Sequence, residues 1–253
     1  MLPPLFYLPP SKDTDHLAVG DVVDLPKDEA HHAVKVMRLE PGALVVLVDG
    51  QGMGYRAELA QVSARSVTAR VHSIVREFGE PRVHVTLAAG LSAGSKFDDV
   101  VQRATELGVE RLVPLVTEKS KVKLDDSSRA KSRVNRLTKV AIAAMKQSRR
   151  SFAPAISFPS DVKTFLKDFD KADVGLIFHP TKAAVPLSQA LKDTSVRRVT
   201  LLVGPESGFS DSEVETAVAA GFTAVSLGDR ILRTETAGPV VTALVMHRLG
   251  ELS

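Results

Sequence analysis

After residue 83, apolar runs alternate regularly with helical segments, and few folds accommodate this pattern. VHVTLAAGL (83–91) and RLVPLV (111–116) have the composition of buried strands, and the amphipathic segment KFDDVVQRATELG (96–108) separates them. Three later apolar runs continue the alternation: GLIFHP (175–180), RRVTLLVG (197–204) and TAVSLG (223–228). Strands that alternate with helices predict an α/β fold, in which a parallel sheet is covered on both faces.

The N-terminal part of the chain has a different pattern. Short alternating runs follow one another between residues 17 and 75, and a single helical segment, DEAHHAVKVMRLEPG (28–42), interrupts them. Short strands at this spacing predict a compact β-barrel. The stretch EFGEPR (77–82) has no periodicity and is typical of a linker. We therefore expect two domains, a β-barrel over residues 1–76 and an α/β domain over residues 77–253.

Composition excludes several classes of site. The 253 residues contain no cysteine, which excludes disulfides, thiolate metal sites and cysteine nucleophiles. No HxxxH or HExxH spacing occurs, so we expect no metal site. No apolar stretch approaches the roughly 18–20 residues that span a bilayer. The start, MLPPLFYLPP, lacks the basic region of a signal peptide, so we expect a cytoplasmic protein that does not enter a membrane.

A glycine-rich loop in LLVGPESGFSDSEVE (201–215) joins an apolar run to a helical segment. A P-loop requires GxxxxGK[ST], and no lysine follows here. The dinucleotide spacing GxGxxG is also missing, and the carboxylate of Glu206 would repel a phosphate at a helix N-terminus. One alternative is an ordinary turn, in which Ser210 caps the helix and Glu213 completes a capping box.

Two other loops favour a ligand site instead. LGDRILRTETAGP (227–239) again leads from a strand through glycine to a helix, and IFHPTKAAVP (177–186) is a polar loop after a third strand. Ligands of open α/β sheets bind beyond the carboxyl ends of the strands. Three such ends offer main-chain donors and acceptors to a neutral heterocycle and a ribose, which favours adenosine. His179, in the third loop, either touches substrate or packs within the loop.

GPESGFSDSEVE and LGDRILRTETA together resemble the C-terminal signature of the small-subunit methyltransferase E family, the 16S ribosomal RNA uridine-N3 methyltransferases of the SPOUT class. SAGSKFDDVVQRATELGVERLVPLVTEKS (92–120) and AIAAMKQSRR (141–150) resemble the same family, and HHAVKVMRLEPG resembles its PUA-like RNA-binding domain. The resemblance thus covers nearly the whole chain. Two positions depart from it: Ser207 replaces a glycine, and Lys146 stands where the family usually has an acidic residue.

The resemblance implies that the second domain is an α/β trefoil knot that binds S-adenosylmethionine and works as a homodimer. It assigns cofactor binding to residues of the first two loops, namely Leu202, Gly204, Pro205, Glu206, Leu227, Gly228, Ile231, Leu232, Arg233 and Thr236. The implied reaction is methyl transfer to N3 of a uracil in 16S ribosomal RNA of the small subunit. Arg233 would stabilise negative charge on the uracil oxygens, and an interfacial salt bridge is the alternative role for this side chain. Glu206 would accept a ribose hydroxyl, act as the base, or fix the loop, and the sequence leaves these roles open.

A cationic segment predicts RNA binding independently. Residues 117–150 contain eleven cationic and three acidic side chains, a net charge of +8 in a chain of net charge +3. Such an asymmetry is typical of a surface that faces phosphates, although a solvated helix face is the alternative. The predicted RNA-binding residues are Arg38, Lys121, Lys123, Arg129, Lys131, Arg133, Arg136, Arg149 and Arg150.

Ser207 keeps a second function open, that of a non-catalytic RNA-binding or ribosome-assembly factor that retains the fold. A nucleotide hydrolase is disfavoured because the P-loop lysine is missing.

Overall fold

The computed structural model describes residues 2–10, 16–63, 66–92, 94–120, 122–123, 126–169 and 174–252. Two compact units make up the chain: Met1–Glu80 with Ile142–Ala153, and Pro81–Ala141 with Pro154–Ser253. Residues 142–153, which lie inside the sequence-defined α/β domain, thus group with the N-terminal unit. Within the described ranges, no helix is both long enough and apolar enough to cross a membrane.

The first unit is built on one five-stranded sheet. Its elements are β1 (Leu5–Tyr7), β2 (Val22–Asp24), α1 (Lys27–His31), a π-helical turn (His32–Val36), β3 (Leu44–Val48), β4 (Met53–Val62) and β5 (Val67–Arg76). The strand order is β1-β3-β4-β5-β2, and every pair is antiparallel except β1 with β3. Leu47, Tyr55 and Leu59 pack with Ala30 and Ala33 of the helical segment in one core. This sheet fits the predicted barrel-like domain.

The second unit alternates strands and helices, as the sequence predicts. Its elements are β6 (His84–Gly90), α2 (Lys96–Glu106), β7 (Arg111–Val116), α3 (Ser127–Gln147), β8 (Ala155–Ile156), β9 (Ser160–Asp161), α4 (Val162–Lys167), β10 (Val174–Phe178), β11 (Val185–Pro186), α5 (Leu187–Ala190), β12 (Arg198–Val203), α6 (Asp211–Ala219), β13 (Phe222–Ser226) and α7 (Thr234–Arg248). Helix α3 begins in this unit, and its last residues belong to the first unit.

The sheet of the second unit has eight strands in the order β11-β13-β10-β12-β6-β7-β8, with β9 beside β7, and all its pairs are parallel. Alternate residues of β12 enter opposite cores. Leu201 packs in the core that contains residues of α2 and α7, whereas Leu202 packs in the core that contains residues of α4 and α6. Helices therefore cover both faces of the sheet, as predicted from the sequence.

The strand order reverses direction between β12 and β6. The chain leaves β6 through α2 towards β7 on one side, and it leaves β12 through α6 towards β13 on the other. Such a topological switch point opens a crevice at the carboxyl ends of the two strands. The loops after these strands are therefore where a ligand site is expected.

Helix α7 contains a proline, and the structure compensates for it. Pro239 has no amide hydrogen, so the carbonyl of Glu235, four residues earlier, loses its helical partner. Arg103 Nη1 of α2 donates to that carbonyl over 3.2 Å. A Cβ at Gly238 would lie only 3.2 Å from Val100 Cγ1, so the helix packs tightly against α2 at this point. These contacts hold the first turns of α7 against α2.

Candidate functional site

The loop after β12 is a tight turn built on glycine. The amide of Gly208 donates to the carbonyl of Pro205 over 2.8 Å, and Gly208 has a φ of +69°. A Cβ at Gly204 would lie 3.1 Å from Gly208 Cα, so position 204 favours glycine for lack of space. Ser207 is not among the described non-glycine residues with positive φ. Serine therefore replaces the family's glycine here without left-handed backbone strain.

The turn ends in the predicted capping box. Ser210 Oγ accepts from the amide of Glu213 over 3.1 Å, and Glu213 Oε2 accepts from the amide of Ser210 over 2.8 Å. Glu213 Oε1 also accepts from the amide of Glu118, after β7, over 3.0 Å. The capping prediction is thus confirmed. One carboxylate closes the helix N-terminus and ties two strand-end loops together.

The loop after β10 meets the same turn. The ring of His179 lies edge-on to Phe209, with centroids 6.3 Å apart, and Lys119 Nζ donates to the Phe209 carbonyl over 3.0 Å. Partial burial and the Lys119 ammonium lower the pKa of His179, which the Asp211 carboxylate opposes only in part. His179 therefore packs against the glycine turn as a neutral ring at neutral pH.

The loop after β13 has several backbone amides without hydrogen-bond partners among the described residues. The amide of Gly228 donates to Ser226 Oγ over 3.1 Å, but among the described residues the amides of Asp229 through Leu232 have no hydrogen-bond partner. The side chain of Ile231 is 97% exposed. Arg233 follows as the N-cap of α7, exposed and without an ion pair within the described part of the chain. This loop thus presents free donors and a free cation.

The end of β6 lies directly against the glycine turn. A Cβ at Gly90 would overlap the ring and nitrogen of Pro205. Nearby, Lys96 Nζ pairs with Glu206 Oε1 over 3.1 Å, and both side chains are about half exposed. Partial burial raises the pKa of Glu206, but its own backbone amide and Lys96 outweigh that effect and lower the pKa below its ordinary value. Glu206 is therefore held as an anion beside the crevice.

The other residues predicted to bind the cofactor differ in how deeply they are buried. Leu202 is completely buried in the core beneath the turn, and Leu227 packs partly against the other core. Thr236 is exposed on the first turn of α7, while Leu232 is partly buried. The two leucines of the strand ends can therefore support the loops, whereas main-chain groups and the exposed side chains can face a ligand.

The predicted RNA-binding cations divide into two sets. Lys123, Arg129, Lys131 and Arg136 are exposed, although Arg129 pairs with Asp126 and Arg136 with Asp98. Arg133 is half-buried, Arg38 is exposed in the first unit with a φ of +53°, and Lys121 lies outside the described residues. The exposed set lies in the second unit, at the start of α3 and in the segment before it.

The last cations of the segment have partners within the chain. Arg150 is 3% exposed, and its Nε and Nη2 donate to Glu80 Oε2 over 3.0 and 2.6 Å. Arg149 Nη1 donates to the carbonyl of Pro3, and Lys146 pairs with Glu29. A buried guanidinium cannot meet phosphates, so the structure does not support the RNA-binding role predicted for Arg150. The charge of residues 117–150 overstates the cationic surface.

Sequence reasoning missed three residues that shape this edge of the sheet: Gly90, Lys96 and Lys119. The last two are lysines whose partners lie 110 and 90 positions away in the sequence, so no local pattern marks them. Gly90 carried a usable signal, because it ends a buried strand where a side chain would normally pack.

Comparison with known proteins gives these loops a context. Residues 79–246 match the family model for an RNA methyltransferase domain, and residues 25–71 match an RNA methyltransferase PUA domain. The chain is 34% identical to the ribosomal RNA small subunit methyltransferase E of Bacillus subtilis, over 83% of this chain and 84% of that protein. It is 32% identical to the protein of the same name from Synechocystis, over 88% of this chain and 72% of that protein.

Solved structures agree with the family models. The methyltransferase E of Neisseria gonorrhoeae bound to S-adenosylmethionine has a TM-score of 0.84 and 30% identity, over 97% of this chain and 98% of that one. A methyltransferase from Legionella pneumophila with bound S-adenosylmethionine also scores 0.84, at 27% identity over 98% of both chains. By domain content, sequence identity and fold, the chain belongs to the ribosomal RNA small subunit methyltransferase E family of SPOUT-type RNA methyltransferases.

Proposed function

We propose that this protein transfers the methyl group of S-adenosylmethionine to N3 of a uridine in 16S ribosomal RNA of the small subunit. The observation that carries the proposal is the pair of loops at the carboxyl ends of β12 and β13, one a glycine turn and the other a run of free amides. Main-chain groups suit the neutral adenosine end of the cofactor, and relatives of the same fold are solved with that cofactor bound.

The residues present fit this cofactor. The amides of Asp229 through Leu232 lack partners among the described residues, and the buried hydroxyl of Ser92, after β6, has none either. Bound S-adenosylmethionine would supply a methyl carbon made electrophilic by its sulfonium. The residues that would hold it are Gly204, Pro205 and Glu206 on one side, with Leu202 beneath them, and Leu227, Gly228, Ile231, Leu232, Arg233 and Thr236 on the other.

Arg233 and Glu206 have different roles in this proposal. The guanidinium of Arg233 has no ion pair among the described residues, so it is available to stabilise negative charge on the uracil oxygens as N3 loses its proton. Glu206 has a lowered pKa and is paired with Lys96, which makes it a weak proton acceptor. We therefore propose that its carboxylate accepts a ribose hydroxyl of the cofactor rather than the uracil proton.

The RNA would be bound in part by the exposed cations before and at the start of α3. Reversing the charges of the exposed Lys123, Arg129 and Lys131 should weaken RNA binding and flatten its salt dependence, because fewer counterions are then released. Filter binding at several salt concentrations measures the slope. An unchanged slope in the folded variant would place the RNA on another surface.

We further propose the trefoil-knot topology of the SPOUT class, a homodimer and a cytoplasmic location. The almost fully exposed Ile231 and the 40% exposed Leu244 of α7 support a partner surface near the proposed site. Light scattering of the purified protein measures its mass directly. A monomer that retains full methyltransferase activity would reject the dimer as a requirement.

The alternative is a non-catalytic RNA-binding factor, which the replacement of a family glycine by Ser207 keeps open. Ser207 is not among the described residues with positive φ, so the turn accepts serine without left-handed strain and gives no support to a loss of function. Mass mapping and primer extension of ribosomal RNA from cells that lack the protein test the proposal. We expect the loss of a single N3-methyluridine, restored by wild type but not by Arg233→Ala. An unchanged modification pattern, or no S-adenosylmethionine binding at millimolar concentration in calorimetry, would reject it.

A further inference from the structure

The ion pair between Lys96 and Glu206 stands at the switch point of the sheet. Lys96 is the first residue of α2, which follows β6, and Glu206 lies in the turn that follows β12. The two loops are already pressed together, because any side chain at Gly90 would overlap Pro205. The pair therefore joins the loops on the two sides of the switch point.

Lys96 occupies a position that helix energetics disfavour. A cation at the first position of a helix is repelled by the helix dipole, which prefers acids there. The same first turn of α2 follows that preference with Asp98 and Asp99, whereas the side chain of Ser95, the N-cap, makes no capping hydrogen bond. The stability of α2 thus does not explain a lysine at this position.

The pair itself also contributes little to stability. Both side chains are about half exposed, and exposed ion pairs are typically worth about 0–1 kcal/mol. The pair matters more for the orientation of Glu206. Among the described residues, only Lys96 and the backbone amide of Glu206 itself donate hydrogen bonds to this carboxylate. Lys96 sets where the carboxylate points.

We propose that Lys96 is a positioning residue: by holding Glu206 Oε1 between the loops that follow β6 and β12, it fixes the 205–208 turn and orients the carboxylate for a ribose hydroxyl. The identity of that hydroxyl rests on the proposed function. The fixing of the turn does not, because it depends only on contacts within this chain.

The test compares Lys96→Met, Lys96→Arg and Glu206→Gln with the double variant Lys96→Met/Glu206→Gln. Lys163→Met is the matched control, an exposed lysine in the first turn of α4. In the free protein, hydrogen exchange at the Gly208 amide, which bonds to Pro205, reports the turn. We expect exchange to accelerate several-fold in Lys96→Met and to stay at the wild-type rate in Lys96→Arg and in the control.

Calorimetry with S-adenosylmethionine provides the second readout. We expect Lys96→Met to raise the Kd about tenfold, Lys96→Arg to restore most of the affinity, and the double variant to bind no more weakly than Glu206→Gln, because coupled residues are non-additive. A purely structural lysine would instead shift the unfolding midpoint. Unchanged exchange in Lys96→Met, or additive losses in the double variant, would overturn the proposal. Absence of cofactor binding by wild type would reject the proposed function, and Gly208 exchange would still decide the role of Lys96.

Discussion

Substitution of Arg150 by methionine should unfold the first unit at lower denaturant concentration without weakening RNA binding. The guanidinium is 3% exposed and donates to Glu80 Oε2 from two nitrogens. The other oxygen of Glu80 accepts from the amides of Ser151 and Phe152, each over 2.8 Å. Glu80 thus organises the chain that follows α3, and Arg150 neutralises its buried charge.

The magnitude follows from what the substitution leaves behind. Breaking a buried ion pair costs about 3–5 kcal/mol, because the remaining charge is uncompensated. In Arg150→Met the carboxylate keeps two amide hydrogen bonds, so we expect about 3 kcal/mol, the lower end of this range. Arg129→Met is the matched control. Its arginine is 81% exposed and pairs with Asp126 at 3.5 Å, so the free energy of unfolding should fall by less than about 1 kcal/mol.

The chain supplies a convenient probe for this measurement. It contains two tyrosines and no tryptophan, and Tyr7 and Tyr55 both belong to the first unit. Tyrosine fluorescence during urea unfolding therefore reports that unit, and circular dichroism of the same samples reports the unfolding of both units, including the one that holds Arg129. We expect Arg150→Met to lower the urea midpoint and to keep the wild-type salt slope of RNA binding. We expect Arg129→Met to leave the midpoint close to the wild-type value and to flatten that slope. Equal destabilisation by the two substitutions would refute the reasoning, as would a flattened salt slope in Arg150→Met.

Three further predictions follow from the site. Arg233→Ala should lower kcat/KM for methyl transfer about 100-fold or more while circular dichroism stays unchanged, and wild-type turnover would refute its assigned role. Gly90→Ala should cost about 1–3 kcal/mol in urea unfolding followed by circular dichroism, and should weaken cofactor binding, because its Cβ overlaps Pro205; wild-type values for both would contradict the close approach. Because folding lowers the pKa of His179, the unfolded chain takes up a proton at this residue at a higher pH than the folded chain does. The stability contributed by His179 is therefore present above the ordinary pKa of 6.5 and declines as the pH falls below it. His179→Gln should reduce that decline between pH 7.5 and 5, and an identical pH profile would exclude the contribution.

Local patterns predicted much of this molecule. The alternation of apolar runs and helices gave the parallel sheet, and Ser210 with Glu213 gave the capping box, because both depend on periodicity or hydrogen bonds within a few residues. The placement of both glycine loops at one edge of the sheet also followed, since β12 and β13 are parallel strands of the same sheet. The departure at Ser207 could be resolved only once its backbone angle was known.

Local patterns were enough to predict the class of fold, the family and the edge of the sheet where a ligand should bind. Which charged side chains are exposed depends on packing between distant segments. Arg150 and Arg129 are both cations of the same segment, yet one is buried against Glu80 and the other is exposed. Lys96 and Glu206 are 110 positions apart and meet only because the strand order brings β6 beside β12. Charge is a property of composition, but burial and partnership depend on packing between distant segments, which no local pattern contains.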